Sequence, residues 1–136
     1  MTLTEYSKYL KIQYKNYIVL VKFGNFYKCF DKDALILSYL MNYKINDNSV
    51  GFPESALGKV ISTLKSTSVN FVISKEMNNV MKADLNRNNY YTISKQAKKH
   101  QVYMTKLEDL NNDLKDILKK DIKNYDKIKL YLSDLV

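Results

Sequence analysis

The chain has 136 residues, which is enough for one domain with a buried core and too few for two independent domains. Hydrophobic residues make up 46% of the chain and aromatic residues 12%, and this composition excludes an intrinsically disordered protein. The formal net charge is +8, and residues 1–75 carry ten lysines against five acidic residues, so the front of the chain attracts polyanions such as nucleic acid.

Two further features of the composition concern the compartment. Cys29 is the single cysteine, so no disulfide can form within the chain, and its place in an apolar stretch predicts a core position. No apolar run approaches the roughly 20 residues that a membrane-spanning helix needs, and the N-terminus lacks a secretory pattern. We therefore expect a soluble, cytoplasmic protein without membrane contact.

The first predicted elements are a helix and a hairpin. Thr2 and Glu5 form a capping-box pattern, and the apolar spacing after them predicts a helix to about residue 15. Residues 17–23 and 26–30 are apolar and β-branched or aromatic, and the two residues between them suit a tight turn at Gly24. Along the second strand, Phe26, Lys28 and Phe30 should share one face, with Tyr27 and Cys29 on the other.

Helices and strands then alternate. Asp31 is predicted to cap a helix over residues 32–43, and Pro53 to stand at the start of a helix over residues 56–65. Residues 69–74 predict a buried strand, which the preceding crossover makes parallel to a neighbour. Helical spacing predicts a helix over residues 76–85, and β-propensity an edge strand over residues 90–93. The expected fold is therefore α/β (α+β), with a small mixed sheet flanked by helices, over residues 1–103.

The spacing of apolar residues over positions 104–136 predicts a different kind of segment. It favours one long amphipathic helix, or a pair broken near residues 120–124, because leucines and isoleucines recur at three- and four-residue intervals. We expect this C-terminal extension to pack on the same domain. Self-association as a coiled coil is the alternative, although fewer than the usual three to four heptads keep one register.

Two motifs resemble the MutS family of DNA mismatch repair proteins. Residues 24–30 are Gly-Asn-Phe-Tyr-Lys-Cys-Phe, where the N-terminal mismatch-recognition domain of that family has Gly-Asp-Phe-Tyr-Glu-Leu-Phe. Residues 50–56, Val-Gly-Phe-Pro-Glu-Ser-Ala, resemble the family's Ala-Gly-Ile-Pro-x-x-Ala. The resemblance covers residues 9–75 and implies a MutS domain I-like fold.

The resemblance also implies a DNA-binding site. The family's phenylalanine wedges against a mispaired base from the minor groove and its glutamate accepts a hydrogen bond from that base, and the matching residues here are Phe26 and Lys28. A wedge gains most where base pairing is already weak. A lysine is attracted to any duplex and offers only donors, and Asn25 in place of the family's aspartate removes another negative charge. The expectation is general affinity for DNA with weak mismatch discrimination.

Other interpretations of the same residues remain open. A phenylalanine on a strand is by default a core residue, and a lone lysine on a strand is usually a solvated charge. Lys22, Lys59 and Lys65 are further candidates for phosphate contacts, although the sequence does not place them on one face.

Catalysis and bound cofactors are not expected. The chain has three glycines and no Walker-type phosphate loop, so it lacks the ATPase of the MutS proteins. His100 is the single histidine and lies far along the chain from Cys29, so no zinc site is predicted. We expect no catalytic residue, no metal and no cofactor.

Two functions are consistent with the sequence. The first is a stand-alone, non-catalytic module that binds duplex or distorted DNA, including mismatched or bulged sites, with a phenylalanine wedge and a basic surface. The second is an interaction or regulatory protein that kept the fold but lost mismatch recognition, since Lys28 replaces the family's glutamate. Its partner would be a MutS-like protein, or a second copy bound through the C-terminal helix.

Overall fold

The computed structural model describes all 136 residues. In chain order the elements are α1 (Leu3–Gln13), β1 (Ile18–Phe23), β2 (Phe26–Phe30), α2 (Asp31–Met41), β3 (Ser49–Pro53), a short 3₁₀ helix (Glu54–Ala56), α3 (Leu57–Ser66), β4 (Phe71–Glu76), β5 (Asn79–Ala83), α4 (Tyr90–Lys120) and α5 (Asn124–Leu135). None of the helices combines the length and the apolar character that crossing a membrane requires.

The strands form one five-stranded mixed sheet in the order β3-β2-β1-β4-β5. β1 pairs antiparallel with β2 and parallel with β4, whereas β2–β3 and β4–β5 are antiparallel pairs. The parallel pair arises because the chain crosses over through α2, β3 and α3 before it returns at β4. The predicted mixed sheet with flanking helices is therefore confirmed.

The sheet buries side chains on both faces, and successive residues of β1 divide between them. Ile18 and Leu20 belong to the core covered by α2, α3 and the start of α4, which we call the three-helix face. Val19 and Val21 pack with Tyr6 and Leu10 of α1 on the other side, which we call the α1 face. The unbroken apolar run in β1 thus reflects a strand that is covered on both faces.

Helix starts follow the sequence prediction at α1 but not at α2. Thr2 caps α1, where its hydroxyl accepts a hydrogen bond from the Glu5 amide at 3.1 Å. The predicted cap at Asp31 is wrong, because Phe30 holds the N-cap position and no side chain caps the helix. Asp31 has a left-handed φ of 53°, and its amide donates to the Asn48 carbonyl at 2.8 Å. The sharp turn at residue 31 therefore ties α2 to the start of β3.

The strand β3 was not expected from the sequence. A five-residue segment that contains Gly51 and Pro53 has a low strand propensity, but pairing with β2 along its whole length supplies the missing stability. Because β3 is an edge strand, Pro53 can end it without leaving a neighbour's carbonyl unpaired. Helical structure follows Pro53 as predicted, but its first turn is a 3₁₀ helix.

The helix predicted over residues 76–85 is wrong. This segment forms the second half of a β-hairpin, in which β5 pairs with β4 and Asn78 takes the left-handed conformation at the turn, with a φ of 67°. Met77, Val80 and Met81 are spaced as on a helix, but tertiary pairing with a buried neighbouring strand overrides that periodicity. Asn is well suited to such a turn because its side chain tolerates a positive φ.

The edge strand predicted over residues 90–93 is also wrong, because Tyr90 begins α4. Tyr90 and Ala97 are seven positions apart and both are buried, while Ile93 packs against the same core, so the segment presents one helical stripe to the three-helix face. The side-chain oxygen of Asn88 accepts a hydrogen bond from the Tyr90 amide at 3.2 Å. Burial of this stripe outweighs the β-propensity of Tyr-Tyr-Thr-Ile.

The C-terminal segment consists of two helices. α4 ends at Lys120 and α5 begins at Asn124, so the break predicted near residues 120–124 is confirmed. The chain divides into two compact units, Met1–His100 and Gln101–Val136. No residue of the second unit is buried. The boundary expected at residues 103/104, and attachment of the extension to the domain, stay predictions.

Candidate nucleic-acid interface

The hairpin of β1 and β2 projects a two-residue turn. Gly24 adopts a left-handed φ of 62°, a conformation that costs glycine little and a side-chain-bearing residue much more. The next residue, Asn25, is exposed, and its carbonyl accepts a hydrogen bond from the Glu54 amide at 2.9 Å. The tip of the hairpin is therefore fastened to the start of the 3₁₀ helix.

Side chains of β2 alternate between one face, where they are exposed or partly exposed, and the other face, where they are buried. Phe26 is 49% exposed, whereas Tyr27 and Cys29 are completely buried on the three-helix face. The division expected from the sequence, with Phe26, Lys28 and Phe30 on one face, is confirmed. Phe26 is therefore a half-exposed surface residue outside the core, so its ring is available for a contact.

Lys28 lies in the middle of β2 and points to the same face as Phe26. Its neighbours across the strands are Val21 and Gly51. A methyl group added at Gly51 would stand 3.5 Å from Lys28 Cγ, an ordinary van der Waals distance, so the aliphatic part of the lysine lies beside Gly51 of β3. The Lys28 Nζ atom sits 5.1 Å from the centre of the Phe23 ring, within range of a cation–π interaction.

Two more aromatic rings complete this surface. Phe23 and Phe30 meet edge to face with their ring centres 6.1 Å apart. Phe23 is also the cross-strand partner of Phe26. We call Phe23, Phe26, Lys28 and Phe30 the aromatic row. Phe23 was not among the residues singled out from the sequence, although the two-residue turn already implies that it stands opposite Phe26.

The other lysines proposed from the sequence lie elsewhere. Lys22 points to the three-helix side of the sheet, and its Nζ pairs with a Glu54 carboxylate oxygen at 3.3 Å. Lys59 and Lys65 are exposed on α3, the helix whose Val60 and Leu64 cover the three-helix face. Phe26, Lys28 and Asn25 are therefore brought together, while these three lysines belong to the opposite side. Contacts of all six with DNA stay predictions.

On the face of β2 opposite the aromatic row, the ionisable side chains of Tyr27 and Cys29 are buried. Desolvation raises the pKa of the Cys29 thiol well above its ordinary value, with the Asp33 carboxylate adding to the effect. Burial likewise raises the pKa of Tyr27, whose hydroxyl has no hydrogen-bond partner. Neither group is suited to nucleophilic or acid–base chemistry at neutral pH, because both stay protonated and enclosed. The candidate site thus consists of rings, one cation and the turn.

Comparison with known proteins agrees with this geometry. A family model for MutS domain I matches residues 2–105, which is most of the chain and extends beyond the two motifs noted above. Among curated proteins, no sequence matches the chain. The matched region contains the whole sheet and the aromatic row. The chain therefore belongs to the MutS domain I family and has that family's mismatch-recognition fold.

Proposed function

We propose that this protein binds duplex DNA without catalysis and inserts Phe26 at sites where base stacking is weakened. The observation that carries this proposal is the 49% exposure of Phe26 in a strand whose Tyr27 and Cys29 side chains are completely buried on the other face. An apolar ring presented beside a tight turn can enter a base step, and the unstacking cost of a few kcal/mol is smallest at a mismatch or bulge. Family membership supports the same function.

Lys28 sets the expected character of this binding. It stands two residues from Phe26 on the same face, where the family has a glutamate. A glutamate is repelled by phosphates, so it contributes mainly where a mispaired base offers a donor, whereas a lysine is attracted to every duplex. The protein should therefore hold matched and mismatched DNA with affinities that differ little, and both affinities should fall steeply as salt increases.

Fluorescence anisotropy with a duplex that carries a single-base bulge tests the wedge. We expect a dissociation constant of about a micromolar or below at low salt, weakened about tenfold in Phe26→Ala. Tyr9→Ala is the matched control, because Tyr9 is an aromatic residue of similar exposure, 48%, on the outside of α1. Equal binding by wild type and Phe26→Ala would remove the wedge even if the protein bound DNA.

A second candidate function, self-association, is favoured by the unit Gln101–Val136. Its large apolar side chains are exposed, among them Leu110 (53%) and Ile117 (40%), which are seven residues apart on α4 and so share a face. A second copy of the chain could cover this stripe. Light scattering over a range of concentrations should then show a dimer, and Leu110→Asp with Ile117→Asp should abolish it. A monomer at every concentration would exclude this candidate. A regulatory contact with a MutS-like protein would then be tested by mixing that protein with this chain.

A further inference from the structure

A concave, strongly basic cavity lies at the far end of the sheet from the Gly24 turn. It has a volume of about 520 Å³ and is formed where α1 leads into β1, where α2 starts and where α4 starts. Five of its lining residues are lysines: Lys11, Lys15, Lys32, Lys95 and Lys98. No acidic residue lines it, so we call it the lysine cavity. All of its residues belong to the unit Met1–His100.

Four of these lysines form no ion pair with an acidic residue. They are Lys15, Lys32, Lys95 and Lys98, all of them exposed, and the Lys95 Nζ atom lies 4.5 Å from the centre of the Tyr91 ring. Like charges gathered around one cavity repel each other, and the energy is recovered when an anion enters. A set of four unpaired cations is more than one phosphate group needs.

The floor of the cavity is rigid because Lys11 is held by three partners. Its Nζ donates to the Tyr17 carbonyl at 2.7 Å, to Asp33 Oδ1 at 2.8 Å and to the Tyr90 hydroxyl at 3.0 Å. The Tyr90 hydroxyl in turn donates to Asp33 Oδ1 at 2.7 Å. Since all three ammonium hydrogens are engaged, Lys11 positions α1 against α4, and the other lysines remain for a ligand.

The start of α4 adds to the positive potential. Tyr90, Tyr91 and Ser94 of the first turns line the cavity, and α4 continues for 31 residues, so the positive end of a long helix dipole is directed towards this region. A neighbouring cavity of about 450 Å³ shares Lys11, Lys15 and Lys32 but is also lined by Asp31 and Asp33. The acid-free lysine cavity is therefore the better anion site of the two.

We propose that the lysine cavity binds a compact ligand with several phosphate groups, of the size and charge of a triphosphate. Its volume is typical of small-ligand sites. Cations that approach from α1, α2 and α4 enclose a small flexible anion, whereas a DNA duplex presents its phosphates on a convex surface. The same phosphate chemistry can come from inorganic triphosphate or from a nucleotide. The site is separate from the aromatic row and does not depend on DNA binding there.

Isothermal titration calorimetry of the full chain with sodium triphosphate and, in a second arm, with ATP tests this site. We expect saturable binding of one ligand per chain, weakened at least about tenfold in Lys95→Ala/Lys98→Ala. Equal affinity for the two probes would indicate that the phosphates alone are recognised, and tighter binding of ATP would indicate a nucleotide. Lys119→Ala/Lys120→Ala is the matched control, because it removes two exposed charges of the same helix outside the cavity and should leave the affinity within about twofold.

Several results would overturn the proposal. The proposal fails if neither triphosphate nor ATP binds. It also fails if the Lys95/Lys98 and Lys119/Lys120 double variants lose affinity equally, because net charge alone would then explain the loss. Binding of a single-stranded oligonucleotide that depends on Lys95 and Lys98, without any binding of triphosphate or ATP, would assign the cavity to a nucleic-acid strand instead. Phe26→Ala should not change the triphosphate affinity, so failure of the DNA wedge and failure of this site are distinguishable.

Discussion

The ammonium group of Lys28 lies 5.1 Å from the centre of the Phe23 ring, on the strand next to it. The lysine is thereby held over the aromatic row instead of extending freely into solvent, and its aliphatic part lies beside Gly51. Its charge is consequently fixed close to Phe26, where the proposed wedge would meet DNA. In this family the same position carries a glutamate, so the sign of the charge at this point should decide how selective the domain is.

The first prediction reverses that charge. Lys28→Glu should weaken binding to a matched duplex, because one favourable phosphate interaction is lost and a repulsive one is added. The slope of the logarithm of the binding constant against the logarithm of the salt concentration should decrease in magnitude by about one. Binding to a mismatched duplex should weaken less, so the ratio of the two affinities should rise. Anisotropy titrations at several salt concentrations measure both quantities. Lys44→Glu is the control, because it makes the same change in net charge at an exposed lysine beyond α2. A uniform loss for both duplexes would contradict a role of residue 28 in discrimination.

The second prediction concerns the buried hydroxyl of Tyr27, which has no hydrogen-bond partner. Tyr27→Phe should leave the free energy of unfolding unchanged or raise it by about 1 kcal/mol, because an unsatisfied polar group is removed while the ring stacking on Phe52 is kept. Tyr6→Phe is the contrasting variant. The Tyr6 hydroxyl is hydrogen-bonded to the Ser74 hydroxyl at 2.8 Å and accepts from the Asn78 amide at 3.0 Å, so its loss should cost about 1–2 kcal/mol. Urea unfolding measures both, and a larger cost for Tyr27→Phe would contradict the prediction.

The third prediction removes the cation of the buried ion pair. Lys11 is 31% exposed at its side chain but Asp33 only 2%, so Lys11→Met leaves a carboxylate in the interior without its counter-charge. The free energy of unfolding should fall by about 3 kcal/mol at neutral pH. Lys8→Met, on the exposed side of α1, should change it by no more than about 0.5 kcal/mol. Similar effects of the two variants in urea unfolding would show that the pair contributes little.

The fourth prediction follows from the pKa of Asp33. Burial raises this pKa above its ordinary value of 3.8, although Lys11, the Val19 amide and Tyr90 oppose the shift. The folded protein therefore binds the Asp33 proton more tightly than the unfolded chain does. The contribution of this titration to stability is complete below pH 3.8 and is lost as the pH rises through the higher folded value. The free energy of unfolding of wild type, measured relative to that of Asp33→Asn, should decrease as the pH rises through this interval. An increase would mean that folding lowers the pKa of Asp33.

Local patterns in the sequence predicted the hairpin and its exposed face. The alternation of Phe26, Tyr27 and Lys28 depends on neighbouring residues alone, and so does the capping of α1 by Thr2. The family motifs predicted the fold for the same reason, since they cover the hairpin and the crossover to α3. At α1 and the hairpin, local propensity and tertiary contacts agree and the expected elements form, whereas β3 within the second motif forms only through its pairing with β2.

Segments whose structure depends on distant partners could not be predicted in the same way. Helical spacing of Met77 and Met81 is compatible with a strand once β4 is available for pairing, and Tyr90 has strand propensity but is buried as part of a helix. The lysine cavity is a still clearer case. Lys11, Lys32 and Lys95 are far apart in sequence and line one cavity only because three helices begin or end near the same end of the central strand β1.

The complete burial of Cys29 has a practical consequence for labelling experiments. Because this sole thiol is enclosed in β2 and its pKa is raised, maleimide reagents should leave the native chain unmodified at neutral pH. A cysteine introduced at an exposed position can therefore carry a fluorophore without prior removal of the natural one. Conversely, the rate at which Cys29 itself is slowly modified would report how often the sheet opens, so local unfolding can be measured on the native protein without an added label.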